Sequence, residues 1–321
     1  MKTAKILLPL LLATVLVGCN SDDDGIKADG SPNANANVAV RSGVTENPDQ
    51  TDVQQVAKRL EIPSRRNGQN DLFVVHTADI YGVNYSMEYD CSLKAARWTA
   101  FQWHKGNSGG KWKRENWRFG YKFNGYGGNG NPFQPDPLIP DACRLKETSY
   151  TGSGYQRGHM LASQDRVTSQ EMNGQTFYMS NMHPQLGVAF NLRGGIWYSL
   201  EGFIRDNYNK DSFRDTLYVV KGGTIAEGQY TTKAGAGNNL VVPKYFYMAI
   251  LCKNSKAGAG GYRAIAFWME HKANTDTKFI NYAISVDELE RKTGIDFFCN
   301  LPDDIEKQVE SSMIPQLWNL K

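Results

Sequence analysis

The fold turns on three short stretches: Tyr155-Gln156-Arg157-Gly158-His159, Ser180-Asn181-Met182-His183-Pro184-Gln185 and Phe190-Asn191. The first leaves the glycine-rich loop Gly152-Ser153-Gly154 as a short strand and places an imidazole two positions after a guanidinium. An imidazole can take a proton from water near neutral pH, and a guanidinium offers phosphate oxygens a planar fork of donors. That pairing suits phosphodiester chemistry. Arg-Gly-His alone more often marks a structural histidine, so its meaning depends on what surrounds it.

Downstream, Ile196, Trp197, Leu200, Phe203 and Ile204 recur at spacings that put them on one helical face within Phe190 to Asn207. Gly174 to Ser180 reads as a short strand. Upstream, Val83 to Tyr89 and Ala95 to His104 are β-branched or aromatic in part and read as strands, while Gly106 to Pro140, loaded with Gly, Asn and Pro, reads as a long surface loop. Such a loop inside a compact domain is often functional. Thr216–Val220, Tyr245–Leu251 and Tyr262–Met269 are strand-like. Val286–Thr293 reads as a helix stopped at Gly294, and Asp303–Ser311 as another with acids in its first turn. The expected fold class is α+β with a mainly antiparallel sheet core.

Residues 1–18 read as an export signal: Lys2 and Lys5 precede an apolar run from Ile6 to Val17, too short to cross a hydrocarbon core of about 30 Å as a helix. The run ends in Gly18-Cys19, which resembles the lipobox of bacterial lipoproteins and makes Cys19 the expected lipidation site; the bland alternative is an ordinary signal with an incidental cysteine. From residue 19 to about 60 the composition turns to Asp, Asn, Ser, Ala and Gly, expected as a flexible tether because it offers little apolar surface to offset ordering entropy. Residues 61–321 then form one folded domain, exported and lipid-anchored to a bacterial membrane, periplasmic or at the cell surface.

Removing Lys2 and Lys5 takes the net charge from +3 to +1, so overall charge says little about partners. Local charge says more. Between Ser92 and Lys122, Lys94, Arg97, Lys105, Lys111, Lys113, Arg114, Arg118 and Lys122 face the single acid Glu115, interleaved with Trp98, Phe101, Trp103, Trp112, Trp117, Phe119 and Tyr121. Cations that neutralise phosphates beside rings that stack on bases make a candidate nucleic-acid surface, although the rings could equally be core. Cys91, Cys143, Cys252 and Cys299 permit two disulfides in any of three connectivities, or remain buried thiols, and lack zinc-site spacing.

Taken in order, these segments resemble the DNA/RNA non-specific endonucleases of the ββα-metal superfamily, marked by Asp-Arg-Gly-His, Asn-x-x-Pro-Gln and a metal-binding Asn before a helix carrying Trp and Leu-Glu. Tyr85-Ser86-Met87-Glu88-Tyr89-Asp90, Arg97-Trp98, Thr293-Gly294-Ile295-Asp296 and Asn300-Leu301-Pro302 extend the resemblance over most of the chain beyond Val74. It implies a ββα-metal finger and metal-dependent, sequence-non-specific cleavage of DNA and/or RNA. By it His159 is the general base, Asn191 the metal ligand, and Arg157 faces the scissile phosphate. Glu201 orients metal-bound water, Arg205 supports the phosphate or leaving group, and Asn181 and Gln185 hold the site together. The implied cofactor is Mg²⁺, with Mn²⁺ as a substitute, and some relatives dimerise, so a homodimer is a further expectation.

Two departures stand out. Gln156 occupies the usual aspartate position, and Asn191 and Glu201 are farther apart than in compact members, with Gly194-Gly195 between them. The runner-up reading is a surface lipoprotein that binds nucleic acid on a degenerate nuclease fold. His183 is expected to be structural, and His76, His104 and His271 carry no assigned role.

Overall fold

The computed structural model describes residues 33–256 and 261–321; the expected signal segment, Cys19 and the first part of the tether lie outside them. The core is an eight-stranded sheet of β1 (Gly43–Thr45), β2 (Asp71–Ala78), β3 (Gly82–Asp90), β4 (Ala95–His104), β9 (Thr216–Gly223), β12 (Tyr245–Lys253), β13 (Tyr262–Glu270) and β14 (Ala283–Ile284), in that spatial order. Every pairing is antiparallel except β1 with β2. Three two-stranded ribbons stand apart from it: β5 (Lys122–Phe123) with β6 (Tyr126–Gly127), β7 (Gln156–His159) with β8 (Met182–Gln185), and β10 (Tyr230–Ala234) with β11 (Leu240–Pro243).

Alternation along the strands builds two cores. On β12, Phe246, Met248, Ile250 and Cys252 face one side, where α3 (Ile196–Asn207) packs through Ile196, Trp197, Leu200 and Ile204. Tyr247, Ala249 and Leu251 face the other, covered by α4 (Val286–Thr293) through Val286 and Leu289 and by α5 (Asp303–Glu310) through Val309. Each fully buried aliphatic or aromatic side chain contributes roughly 1.5–3 kcal/mol, so the two faces together hold the helices in place. The α4 boundaries match the sequence reading: Ser285 accepts from the Glu288 N–H as N-cap, and Gly294 takes the left-handed conformation at φ 68° that ends the helix.

The chain leaves the sheet after β4 and returns as its neighbour β9. Everything between, from Lys105 to Asp215, crosses the α3 face and carries the ββα unit β7–β8–α3.

Two expectations are corrected here, and one question left open is decided. The tether reading fails for residues 33–60. Val53–Val56 is a helical turn (α1) capped by Asp52, Val56, Ala57, Leu60 and Ile62 are buried in the second core, and the Asn37 amide donates to the Pro63 carbonyl at 3.0 Å. Side-chain hydrogen bonds and a few aliphatics tie down a segment whose composition alone looks solvated. Gly174–Ser180 is not a strand. The Ser169 hydroxyl caps α2 (Gln170–Gln175) by accepting from Met172, and a 3₁₀ turn at Met179–Asn181 follows. The cysteine pairing left open by the sequence is decided: Cys91 and Cys143 form a disulfide, while Cys252 on β12 and Cys299 in the turn after α4 are buried free thiols.

Candidate active site

The ribbon register sets the site. Gln156 pairs with Gln185, Arg157 with Pro184, Gly158 with His183 and His159 with Met182. Glycine is required at 158 because an added Cβ would lie 2.1 Å from the Gln185 side-chain oxygen. Asn181 fastens the strand ends: its amide donates to the carbonyls of Leu161 (3.0 Å) and Thr176 (2.8 Å), and its oxygen accepts from the Leu161 N–H at 3.0 Å. Asn181 and Gln185 are both buried and neither lines the cleft; the Gln185 amide makes no hydrogen bond among the described residues, so of the two only Asn181 ties the site together as expected.

That cleft, about 290 Å³, gathers Arg114, Phe133, Gln156, Arg157, His159, Asn191, Arg193, Glu201 and Arg205 along its walls. Every residue that the sequence analysis gave a direct chemical role therefore reaches one cavity. The His159 ring stands edge-on to Phe177 with centroids 5.0 Å apart, and its buried Nε2 has no hydrogen-bond partner. Burial, then the cations Arg114, Arg157 and Lys221, hold its pKa well below that of a free histidine, so the imidazole is neutral and able to accept a proton. The Arg157 guanidinium lies over Phe133 at 3.9 Å from the ring centroid.

Asn191 ends a π-type turn, Gly187–Asn191; its N–H donates to the carbonyl of the preceding Leu186, and the Leu192 N–H to that of Gly187. The extra residues between Asn191 and Glu201 form the turn into α3, with Gly194 at φ 92° and Gly195 as N-cap. The Asn191 side chain lines the cleft. A neutral oxygen donor open to a cleft, with room for water and phosphate oxygens, suits a hard divalent cation such as Mg²⁺. The one cluster of three carboxylates close enough to share an ion among the described residues, Asp287, Glu290 and Glu310, is on α4 and α5 and not at this cleft.

Glu201 and Arg205 are less free than the sequence suggested. Glu201 Oε1 accepts from the Lys221 ammonium at 2.9 Å, and Arg205 Nε donates to Asp165 Oδ1 at 2.6 Å. Asp165 and Lys221 escaped the sequence reading. The available signal was the alternation Leu217, Val219, Lys221, which sets a lysine on the core-facing side of β9.

His271 also proves to have a place. Its Nδ1 donates to the Pro243 carbonyl (3.0 Å) and its Nε2 accepts from the Leu186 N–H (2.8 Å), anchoring the turn that presents Asn191. Burial lowers its pKa to about 4, keeping it a neutral acceptor. His183 is structural as expected, with its Nε2 on the Ala96 carbonyl at 3.0 Å.

The basic, aromatic segment divides in two. Trp98, Phe101, Trp103 and Trp117 are core, and Arg97 is buried among carboxylates, so the strand half offers no surface. From Lys111 to Lys122 the cations are exposed, with Phe119 72% and Tyr121 48% exposed beside them.

A ββα unit presenting a histidine, arginines and an asparagine across one cleft is the arrangement of a phosphodiester hydrolase. Residues 73–304 match the DNA/RNA non-specific endonuclease family, and the chain belongs to it. Nuclease C1 of Cunninghamella echinulata var. echinulata is 35% identical over 53% of this chain and 67% of that protein. Mitochondrial Nuclease 1 of Schizosaccharomyces pombe is 31% identical, over 58% of this chain and 59% of its own length, and a Nostoc nuclease is 29% identical over 71% and 76%. In fold, the chain is similar to EndoG as seen in its complex with EndoGI, at a TM-score of 0.55 and 24% identity over 68% of this chain and 84% of that one.

Proposed function

We propose that this nuclease cuts DNA and RNA endonucleolytically without sequence preference, with His159 as general base and Mg²⁺ held by Asn191. The observation that carries this is the convergence of His159, whose buried Nε2 has no hydrogen-bond partner, and Asn191 on one arginine-lined cleft. His159 takes the proton of the attacking water. Arg157, Arg114 and Arg193 draw the phosphate in, and Arg205, fixed by Asp165, steadies it from the α3 side. When bound, the metal polarises the phosphate and supports the leaving oxygen. Gln156 at the cleft wall keeps a hydrogen-bonding group where the family has a charge. Phosphate contacts carry no base information, which fits a non-specific enzyme.

The exposed Lys111–Lys122 arm supports a polymeric substrate, since Arg114 at its centre also lines the cleft. The apolar run and Gly18-Cys19 support export and lipid anchoring of the enzyme to a bacterial membrane at Cys19, facing the periplasm or the exterior. No helix among the described residues is long and apolar enough to cross a membrane.

The test is degradation of plasmid DNA and of RNA by the chain from Asn20 onward, with Mg²⁺, with Mn²⁺ and with chelator. Metal-dependent cutting of both substrates is expected. A folded protein that binds nucleic acid but cuts neither would overturn the assignment.

A further inference from the structure

We propose that Lys221 is a positioning residue of the cleavage site, holding Glu201 and Asp165 in one charge-balanced unit with Arg205; this rests on the nuclease reading. Lys221 is on the central strand β9, paired with Thr99 of β4 and Met248 of β12, and is 1% exposed. Strand alternation after Leu217 and Val219 points it into the α3 core. An ammonium at such a position is costly unless fixed carboxylates compensate it.

Two do. Lys221 Nζ is 2.9 Å from Glu201 Oε1 and 3.6 Å from Asp165 Oδ2, and that Asp165 oxygen has no hydrogen-bond partner. Asp165 Oδ1 takes the Arg205 Nε. The charges therefore alternate as Arg205, Asp165, Lys221, Glu201, and cancel.

The members differ in rigidity. Lys221 belongs to the sheet, and Asp165 is pinned through its carbonyl by Trp103 Nε1 (3.2 Å) and the buried Arg166 guanidinium (3.0 Å). Glu201 and Arg205 are one turn apart on α3. The fixed pair thus sets the rotation of α3 about its axis, and with Oε1 occupied by Lys221 the rest of the Glu201 carboxylate is directed to the cleft it lines. Lys221 does not line that cleft, so its contact with the site is through Glu201.

The experiment is a double-mutant cycle of Lys221→Met, Glu201→Gln and both together. It is read as kcat and KM on DNA and as Mn²⁺ affinity, by electron paramagnetic resonance, with a non-cleavable phosphorothioate oligonucleotide bound. Lys221→Met should lower kcat about 10–100-fold, as loss of a partner behind a site residue does, with little change in KM. The double variant should be no worse than Glu201→Gln in either readout, because the two changes remove one function. Lys221→Arg should recover part of the loss.

Wild-type kcat in Lys221→Met, or effects that multiply in the double variant, would overturn the proposal. Oligonucleotide binding in chelator and thermal unfolding report folding. If Lys221→Met does not fold, the same cycle on Lys221→Gln decides by the same criteria. A wild-type protein that cuts nothing would strike the nuclease reading instead, and the Mn²⁺ cycle would still judge Lys221.

Discussion

Two buried ionic networks in this molecule use the same ingredients to different ends. At one end of β2–β4, Arg97 meets Glu88 (3.1 Å), Asp90 (3.1 Å) and Asp71 (3.3 Å), all on neighbouring strands and none lining the His159 cleft. Under α3, Lys221, Asp165, Glu201 and Arg205 bridge the sheet, a loop and a helix, and the two helical members reach the cleft. The first ties strands that are already hydrogen-bonded. The second sets the relation between elements that no backbone ladder fixes. Burial of charge alone therefore does not mark a site; what matters is whether the network joins independent elements and ends at a cavity.

The sharpest way to break this contrast is on the chemistry itself. His159→Ala should cost about 10²–10⁴-fold in cleavage rate with the fold intact, because it removes the proposed general base, whose Nε2 supports no other group; plasmid nicking beside thermal unfolding reads both. Arg97→Met should do the reverse. Stranding three carboxylates should cost roughly 3–5 kcal/mol of stability, measured by urea unfolding, while the rate per folded molecule stays near wild type.

A pH prediction follows from the cations around His159. Its pKa in the fold is below the usual 6.5, so the imidazole stays neutral as pH falls past 6.5 and the acid limb of kcat/KM should lie below that value. Arg114→Gln removes one depressing charge, and the limb should move up toward 6.5. A limb unmoved by the change would separate Arg114 from the base.

Smaller effects are expected away from the cleft. Burial pushes the Glu310 carboxyl up to about 11, with Glu290 adding to the rise. A folded pKa above the unfolded one gives stability that is complete below about 4.5 and is lost as pH rises toward 11. Glu310→Gln should therefore raise Tm relative to wild type at pH 8 and not at pH 4. Least of all, Phe119→Ala should weaken binding of single-stranded oligonucleotide in chelator by about fivefold, the loss of roughly 1 kcal/mol of stacking.

The sequence by itself determined the elements with strong local signals. Ala95–His104 is a strand from end to end because its rings and branched side chains fit a pleated surface. Val286–Thr293 is a helix between Ser285 and Gly294 because a cap and a left-handed glycine act within one turn. His159, Arg157, Asn191, Glu201 and Arg205 were legible as a group because their order and spacing form a motif. Only the tertiary structure decided the rest. It packed residues 33–60 onto the domain, paired Cys91 with Cys143, and made the rings of Ser92–His104 core. It also brought Asp165, Lys221 and His271 to the residues they serve across gaps of 40, 20 and 85 positions. Local propensity acts over a few residues, whereas charge compensation and burial depend on which strands become neighbours. That choice was made when the chain returned to lay β9 beside β4.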